Sequence, residues 1–156
     1  MTQTMNAPLL QVETEIDASP EAVWAAVTDP RVLGGLSDQV LRTHVVGTEP
    51  VGLGTRTINL NRRGLLVWPT RAKVVRFEPT RDYAFRVKDN ASIWSFELVP
   101  TATGTRVVHR REAPDGTTAV SRFLQAKILG GVESFDEELT AGMAGTLQRL
   151  KALLER

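Results

Sequence analysis

His109 and Arg111 stand two residues apart in the run Val107-Val108-His109-Arg110-Arg111-Glu112. In a strand, residues two apart share a face, so Val107, His109 and Arg111 point the same way. With Val107 turned to the core, an imidazole and a guanidinium turn inward with it. A buried arginine is costly unless something pairs with it. That register would therefore offer a polar feature to a ligand carboxylate, carbonyl or phenol. The other register turns Val108, Arg110 and Glu112 inward instead, and the pattern leaves both open. Together with Tyr83, His109 and Arg111 are also the groups that could move a proton. The second histidine, His44, reads as structural or exposed.

Other chemistries are narrowed by what the chain lacks. It has no cysteine, which excludes disulfides, thiolate catalysis and cysteine-based metal sites. The two histidines lack zincin-like spacing. Gly52-Leu53-Gly54 precedes a strand rather than a helix, the wrong setting for a dinucleotide, and there is no phosphate loop or nucleophile elbow. No metal or cofactor is expected. The remaining acids, such as Asp136, Glu137 and Glu138, fall on the polar side of a helix or on turns and read as solvated.

Charge gives little pull toward a polyanion, since the formal net charge is +1. Nine Arg or Lys lie between Arg56 and Lys88 against only Glu78 and Asp82. Arg86 and Lys88 alternate with Phe85 and Val87, which describes the wet outer face of a sheet. No aromatic residues interleave there as a nucleic-acid platform would need, so no nucleic acid is expected. No apolar run approaches the roughly 18 residues of a membrane span. Residues 1–8 lack the features of a signal peptide and read as a disordered lead, which makes the cytoplasm the expected compartment. The 156 residues, 42% of them hydrophobic, suit one domain with a sizeable core, expected over 9–156.

Along the chain, 9–16 predicts a strand with Leu10, Val12, Thr14 and Ile16 on one face. Ser19-Pro20-Glu21 then predicts a helix start, with serine as cap, proline at the first position and an acid in the first turn. Val23, Trp24 and Val27 supply its buried side, and Asp29-Pro30 ends it. A second short helix is predicted over 31–36, closed by Gly34-Gly35 or by Ser37. From Val40 the period becomes two, predicting strands at 41–47, 55–61, 65–78, 83–88, 92–99 and 105–112. The short turns between them favour an antiparallel meander. Residues 119–129 predict a lesser helix that Gly130-Gly131 bends into the last one. From Val132 to Arg156, Phe135, Leu139, Met143, Leu147, Leu150 and Leu154 form one stripe. That helix would run about 36 Å, and its stripe needs a sheet to lie on.

The order and spacing of several segments resemble the START/polyketide cyclase-like (SRPBCC) superfamily, which includes plant pollen-allergen and hormone-receptor proteins. The segments are Val12-Glu13-Thr14-Glu15-Ile16-Asp17-Ala18-Ser19-Pro20-Glu21-Ala22-Val23-Trp24, Phe77-Glu78-Pro79, Tyr83-Ala84-Phe85-Arg86, Trp94-Ser95-Phe96-Glu97-Leu98, Gly104-Thr105-Arg106-Val107 and the closing run from Leu147 to Glu155. The resemblance spans nearly the whole chain. It implies an α+β helix-grip fold, with a seven-stranded curved antiparallel sheet around a long C-terminal helix and two short helices after the first strand. It also implies a hydrophobic cavity between sheet and helix. Relatives bind lipids, sterols, polyketides or hormones, and some cyclise or dehydrate aromatic polyketides, but no universal catalytic motif carries over. Where many relatives place a tryptophan near the second short helix, this chain has Leu33 and Leu36.

The expected ligand-binding set is therefore Tyr83, Phe85, Trp94, Phe96, His109, Arg111, Leu139, Gly142, Met143 and Thr146. Gly142 and Gly145 interrupt the last helix at about 1 kcal/mol each relative to alanine. Gly142 either lets a strand pack closely or leaves room for a ligand beside the adaptable Met143. Three functions stay open: a carrier of an apolar or amphipathic small molecule, a cyclase or dehydratase working in the same cavity, and an interaction protein using its outer sheet. Leu65-Leu66-Val67-Trp68-Pro69 could be a buried strand, a pocket rim or a homodimer patch.

Overall fold

The computed structural model describes residues 7–89, 91–113 and 132–156. Strand β1 (Ala7–Ile16) leads into helices α1 (Pro20–Val27) and α2 (Pro30–Leu36). Six strands follow: β2 (Val40–Val45), β3 (Arg56–Arg63), β4 (Leu66–Glu78), β5 (Asp82–Val87), β6 (Ser92–Pro100) and β7 (Thr105–Ala113). Helix α3 (Val132–Leu154) completes the described residues. The helix expected at 119–129 and the bend at Gly130-Gly131 lie outside them.

The two short helices start as their sequences dictate. Ser19 Oγ accepts a hydrogen bond from the Ala22 amide at 3.1 Å, with Pro20 at the first helical position. Asp29 repeats the device for α2, its carboxylate accepting from the Arg31 amide at 3.1 Å ahead of Pro30. Asp29-Pro30 thus ends one helix and begins the next. Gly34 and Gly35 lie inside α2, and Ser37 closes it. Gly34 is there because α2 presses on β2: an added Cβ would come 2.3 Å from Thr43 Oγ1.

All seven strands form one antiparallel sheet in the order β1-β7-β6-β5-β4-β3-β2. Only β1 leaves the meander, returning beside β7 with Ile16 opposite Thr105. The β6–β7 turn crosses this corner so tightly that a Cβ on Gly104 would lie 2.1 Å from the Ile16 carbonyl oxygen. The sheet curves around α3, which is the helix-grip arrangement.

Helix α3 is held in two different ways along its length. Its C-terminal half is packed: Leu147 is 1% and Leu150 0% exposed, in one cluster with Ile16, Val23, Val27, Leu98 and Val107. Polar ties fix that end, with Lys151 Nζ donating to the Glu15 carbonyl and the Asp17 amide donating to Glu155, each at 2.7 Å. Arg149 Nε donates to the Leu36 carbonyl at 2.6 Å, joining α3 to the last turn of α2. Leu139, near the other end, is only partly buried.

The outer surface of the sheet carries the basic residues. Arg56, Arg62, Arg71, Lys73, Arg81, Arg86 and Lys88 are exposed. Arg76 bonds Asp82 at 2.8 Å, and Arg63 reaches across to Glu138 on α3. His44 is exposed.

Replacing Leu150 by alanine is expected to lower unfolding free energy by about 2–5 kcal/mol, the usual cost of emptying a filled core position. Denaturant titration measures it. A change under about 1 kcal/mol would mean the C-terminal half of α3 is not the packed half.

Candidate functional site

Between the concave face of the sheet and the N-terminal half of α3 lies a cavity of about 390 Å³. That is within the range of small-molecule pockets. Its walls come from β2 to β7, from α2 and the residues after it, and from α3. All ten residues singled out by sequence line it: Tyr83, Phe85, Trp94, Phe96, His109 and Arg111 from the sheet, and Leu139, Gly142, Met143 and Thr146 from the helix.

The pairing of β6 with β7 decides the register that sequence left open. His109 lies opposite Phe96, Arg111 opposite Trp94 and Val107 opposite Leu98. Every residue of that set is inward. Arg110 points the other way and bonds Gln11 and Glu97, each at 2.9 Å.

His109 is 4% exposed, and its Nδ1 lies 2.9 Å from the Ser95 carbonyl oxygen. A carbonyl only accepts, so Nδ1 carries the proton and Nε2 is left with a lone pair. The ring stacks on Phe96 at 4.0 Å between centroids, 7° from parallel. Burial pushes the pKa down to about 4, against the opposing effect of the Ser95 hydrogen bond. His109 is therefore a neutral imidazole in the cavity wall at physiological pH. Arg111, 2% exposed, supplies the charge. A guanidinium holds five donors in one plane and stays protonated, so it can serve a wall partner and a ligand oxygen together.

Tyr83 is 2% exposed, and burial first, then the Asp29 charge, pushes its hydroxyl up to about 12. It stays a phenol, able to donate but not to act as a resting base. Its ring sits edge-on to Trp24 and Phe77 at 6.3 and 6.2 Å, joining the cavity wall to the packed core. Thr146 spends its hydroxyl on the Gly142 carbonyl at 3.1 Å.

Among the described residues, nothing packs closely on Gly142: a Cβ built on it meets only Asp38 Oδ1, at 3.6 Å, an ordinary contact. The residue leaves space in the cavity wall. The Leu65-to-Pro69 run resolves by parity: Leu66 and Trp68 line the cavity, while Leu65 and Val67 are 100% and 48% exposed.

One wall was missed from sequence. Thr43, Thr57, Asn59, Asn61 and Thr70 line the β2–β3–β4 flank. In β3 the apolar residues Ile58 and Leu60 face out, 40% and 39% exposed, whereas Asn61 is 9% exposed. Hydrophobic alternation assigns the opposite faces. The only available signal was the alternation of Thr57, Asn59 and Asn61 itself, without its sense. Among the described residues no cluster of three or more His, Asp or Glu could hold a metal, and no helix is long and apolar enough to cross a membrane.

The family described as polyketide cyclase / dehydrase and lipid transport matches residues 8–155. No curated protein matches the sequence. Solved structures do. The solution structure of the KanY protein (ms6282) is similar with a TM-score of 0.74 and 19% identity, over 97% of this chain and 100% of that one. TTHA0849 from Thermus thermophilus is similar with a TM-score of 0.67 and 20% identity, over 94% of this chain and 99% of that one. The di-domain ARO/CYC StfQ from the steffimycin biosynthetic pathway gives a TM-score of 0.73 and 15% identity, over 94% of this chain and 50% of StfQ. At such identities the likeness is one of fold.

Two measurements follow from this geometry. His109 is neutral in the folded protein down to about pH 4, whereas in the unfolded chain it takes a proton near pH 6.5. Its contribution to stability is thus full above pH 6.5 and is lost as pH falls toward 4, by about 3 kcal/mol. Unfolding free energies against pH should show that slope in the wild type and lack it in His109→Gln; equal slopes would refute the buried neutral imidazole. Gly142→Ala is expected to raise stability by about 0.5–1 kcal/mol, from helix propensity in a place with room for a methyl. A lowered denaturation midpoint would show the space to be needed for packing.

Proposed function

The chain belongs to the polyketide cyclase / dehydrase and lipid transport family, and we propose that this protein binds an apolar or amphipathic small molecule of lipid, polyketide or aromatic type between its sheet and its last helix. The observation that carries the reading is the cavity of about 390 Å³ that the described residues leave along the N-terminal half of α3. Close-packed interiors rarely leave voids larger than a water. Trp94, Phe85, Phe96, Leu139 and Met143 supply apolar wall, which favours an apolar body by roughly 25 cal/mol for each Å² removed from water. Arg111 and His109 orient a polar group: the guanidinium donates to a carboxylate, carbonyl or phenolate, and Nε2 of His109 accepts from a hydroxyl.

The neutral state of His109 supports a second reading, a cyclase or dehydratase acting in the same cavity. An imidazole whose Nδ1–H is held by the Ser95 carbonyl presents Nε2 as a base, and Arg111 beside it would stabilise enolate charge developing on the substrate. Tyr83, held as a phenol, could return a proton but not take the first one. Binding and catalysis share every wall residue and differ only in whether His109 exchanges a proton with the ligand.

Native mass spectrometry of freshly purified protein is expected to show a retained small molecule that Leu139→Trp, which fills the cavity, no longer retains. Protein that carries no such molecule and takes up no amphipathic probe would remove the binding reading. With a ligand in hand, a His109→Ala variant that binds about tenfold more weakly places His109 in binding. One that binds as before but loses turnover places it in catalysis.

A further inference from the structure

We propose that the cavity has a second polar pole, formed by Asn59 and Asn61 on β3, which takes an uncharged hydroxyl or carbonyl group at the far end of a ligand whose other end meets Arg111. The inference rests on reading the cavity as a ligand site and specifies what that ligand must look like. The sense of β3 is its starting point. Asn59 and Asn61 line the cavity while their apolar neighbours Ile58 and Leu60 face solvent. A cavity built only to hold an apolar body would have the reverse.

The hydrogen bonds show which atoms are already used. Thr43 Oγ1 donates to Asn59 Oδ1 at 2.7 Å. Asn61 Nδ2 faces Thr70 Oγ1 at 2.9 Å and the Trp68 carbonyl at 3.2 Å, tying β3 to β4. Among the described residues these contacts fix both amides in the wall and leave Nδ2 of Asn59 as a donor and Oδ1 of Asn61 as an acceptor. A hydroxyl can meet either atom, and a carbonyl can meet the first.

Charge decides which end of a ligand goes where. Asp38 and Glu138 line the cavity beside this flank: the chain next to Asp38 is joined to β3 by the Arg62 amide donating to the Gln39 carbonyl at 2.7 Å, and Glu138 is bonded by Arg63 of β3. Arg63 neutralises Glu138, so Asp38 is the acid that would repel a carboxylate placed here, and an anionic end goes to Arg111 on β7. Strands β6, β5 and β4 separate the poles, with Trp94, Phe85 and Trp68 turned inward from them. Four strand spacings make about 19 Å along the sheet, less across its concave side. The ligand class is an elongated molecule, anionic or strongly accepting at one end, apolar in the middle and neutral-polar at the other.

Isothermal titration of the full chain with dodecanoate and with 12-hydroxydodecanoate tests this. The wild type is expected to bind the hydroxy acid about fivefold tighter, the usual yield of one added hydrogen bond. Asn59→Val should make the hydroxy acid the weaker binder while dodecanoate still binds, which also reports that the variant is folded. If the wild type binds the hydroxy acid no tighter than dodecanoate, the second pole is overturned while the ligand cavity stands. If neither acid binds, the ligand reading and the second pole fall together. Should Asn59→Val fail to fold, the wild-type comparison still decides.

Discussion

Among the described residues, the seam between α3 and the concave sheet is filled over one half and hollow over the other, and the rest of the structure follows from that division. Leu147 and Leu150 have the dense surroundings of a core, with Ile16, Val23 and Val107 against them. Leu139, Gly142 and Met143, one to three turns earlier, face the cavity. The filled half has to anchor the helix for both. It does so with apolar burial and with polar ties to β1, to Asp17 just after it and to α2 through Lys151, Glu155 and Arg149. An anchored rod can then hold a cavity open at its other end without collapsing on it.

Strand parity carries the chemistry of the walls. The same two-residue period that turns Val107 into the core turns His109 and Arg111 into the cavity, so the polar pair needs no loop to position it. Rigid strands fix the spacing of these groups better than a loop would. The environment then sorts the two apart. Burial leaves the imidazole neutral, whereas a guanidinium keeps its charge in any protein setting. Neighbours on one face of one strand thus become an acceptor and a cationic donor.

The opposite flank follows another rule. On β3 two aliphatic side chains remain partly exposed while amides turn in, forgoing part of the roughly 1.5–3 kcal/mol that burying each aliphatic would contribute. The amides recover some of that through cross-strand hydrogen bonds, Asn61 to β4 and Asn59 to β2. The cavity is consequently asymmetric: cationic at β7, neutral and polar at β3, aromatic between.

Much of this was legible in the chain before any coordinates. Ser19-Pro20 dictates a helix start through capping and a preset backbone angle, and α1 begins there; Asp29-Pro30 reads in the sequence only as the end of α1, and the structure shows that it caps the start of α2 as well. Alternation located every strand from β2 to β7, and the stripe of α3 named the helix that the sheet must cover. Local physics suffices for such features, because each depends on neighbours within a few residues. Other features depended on partners far away in sequence. The inward turn of His109 and Arg111 was settled by pairing with Phe96 and Trp94 across β6. The open space at Gly142 was settled by what comes near it among the described residues, a single carboxylate oxygen at 3.6 Å. On β3, alternation pointed the wrong way, because the hydrophobic rule assumes that the inside is packed. By itself the sequence determined which segments become helix or strand and what could cover what; only the tertiary structure decided which faces turn inward and where the interior stays empty, since both are set by contacts between distant elements.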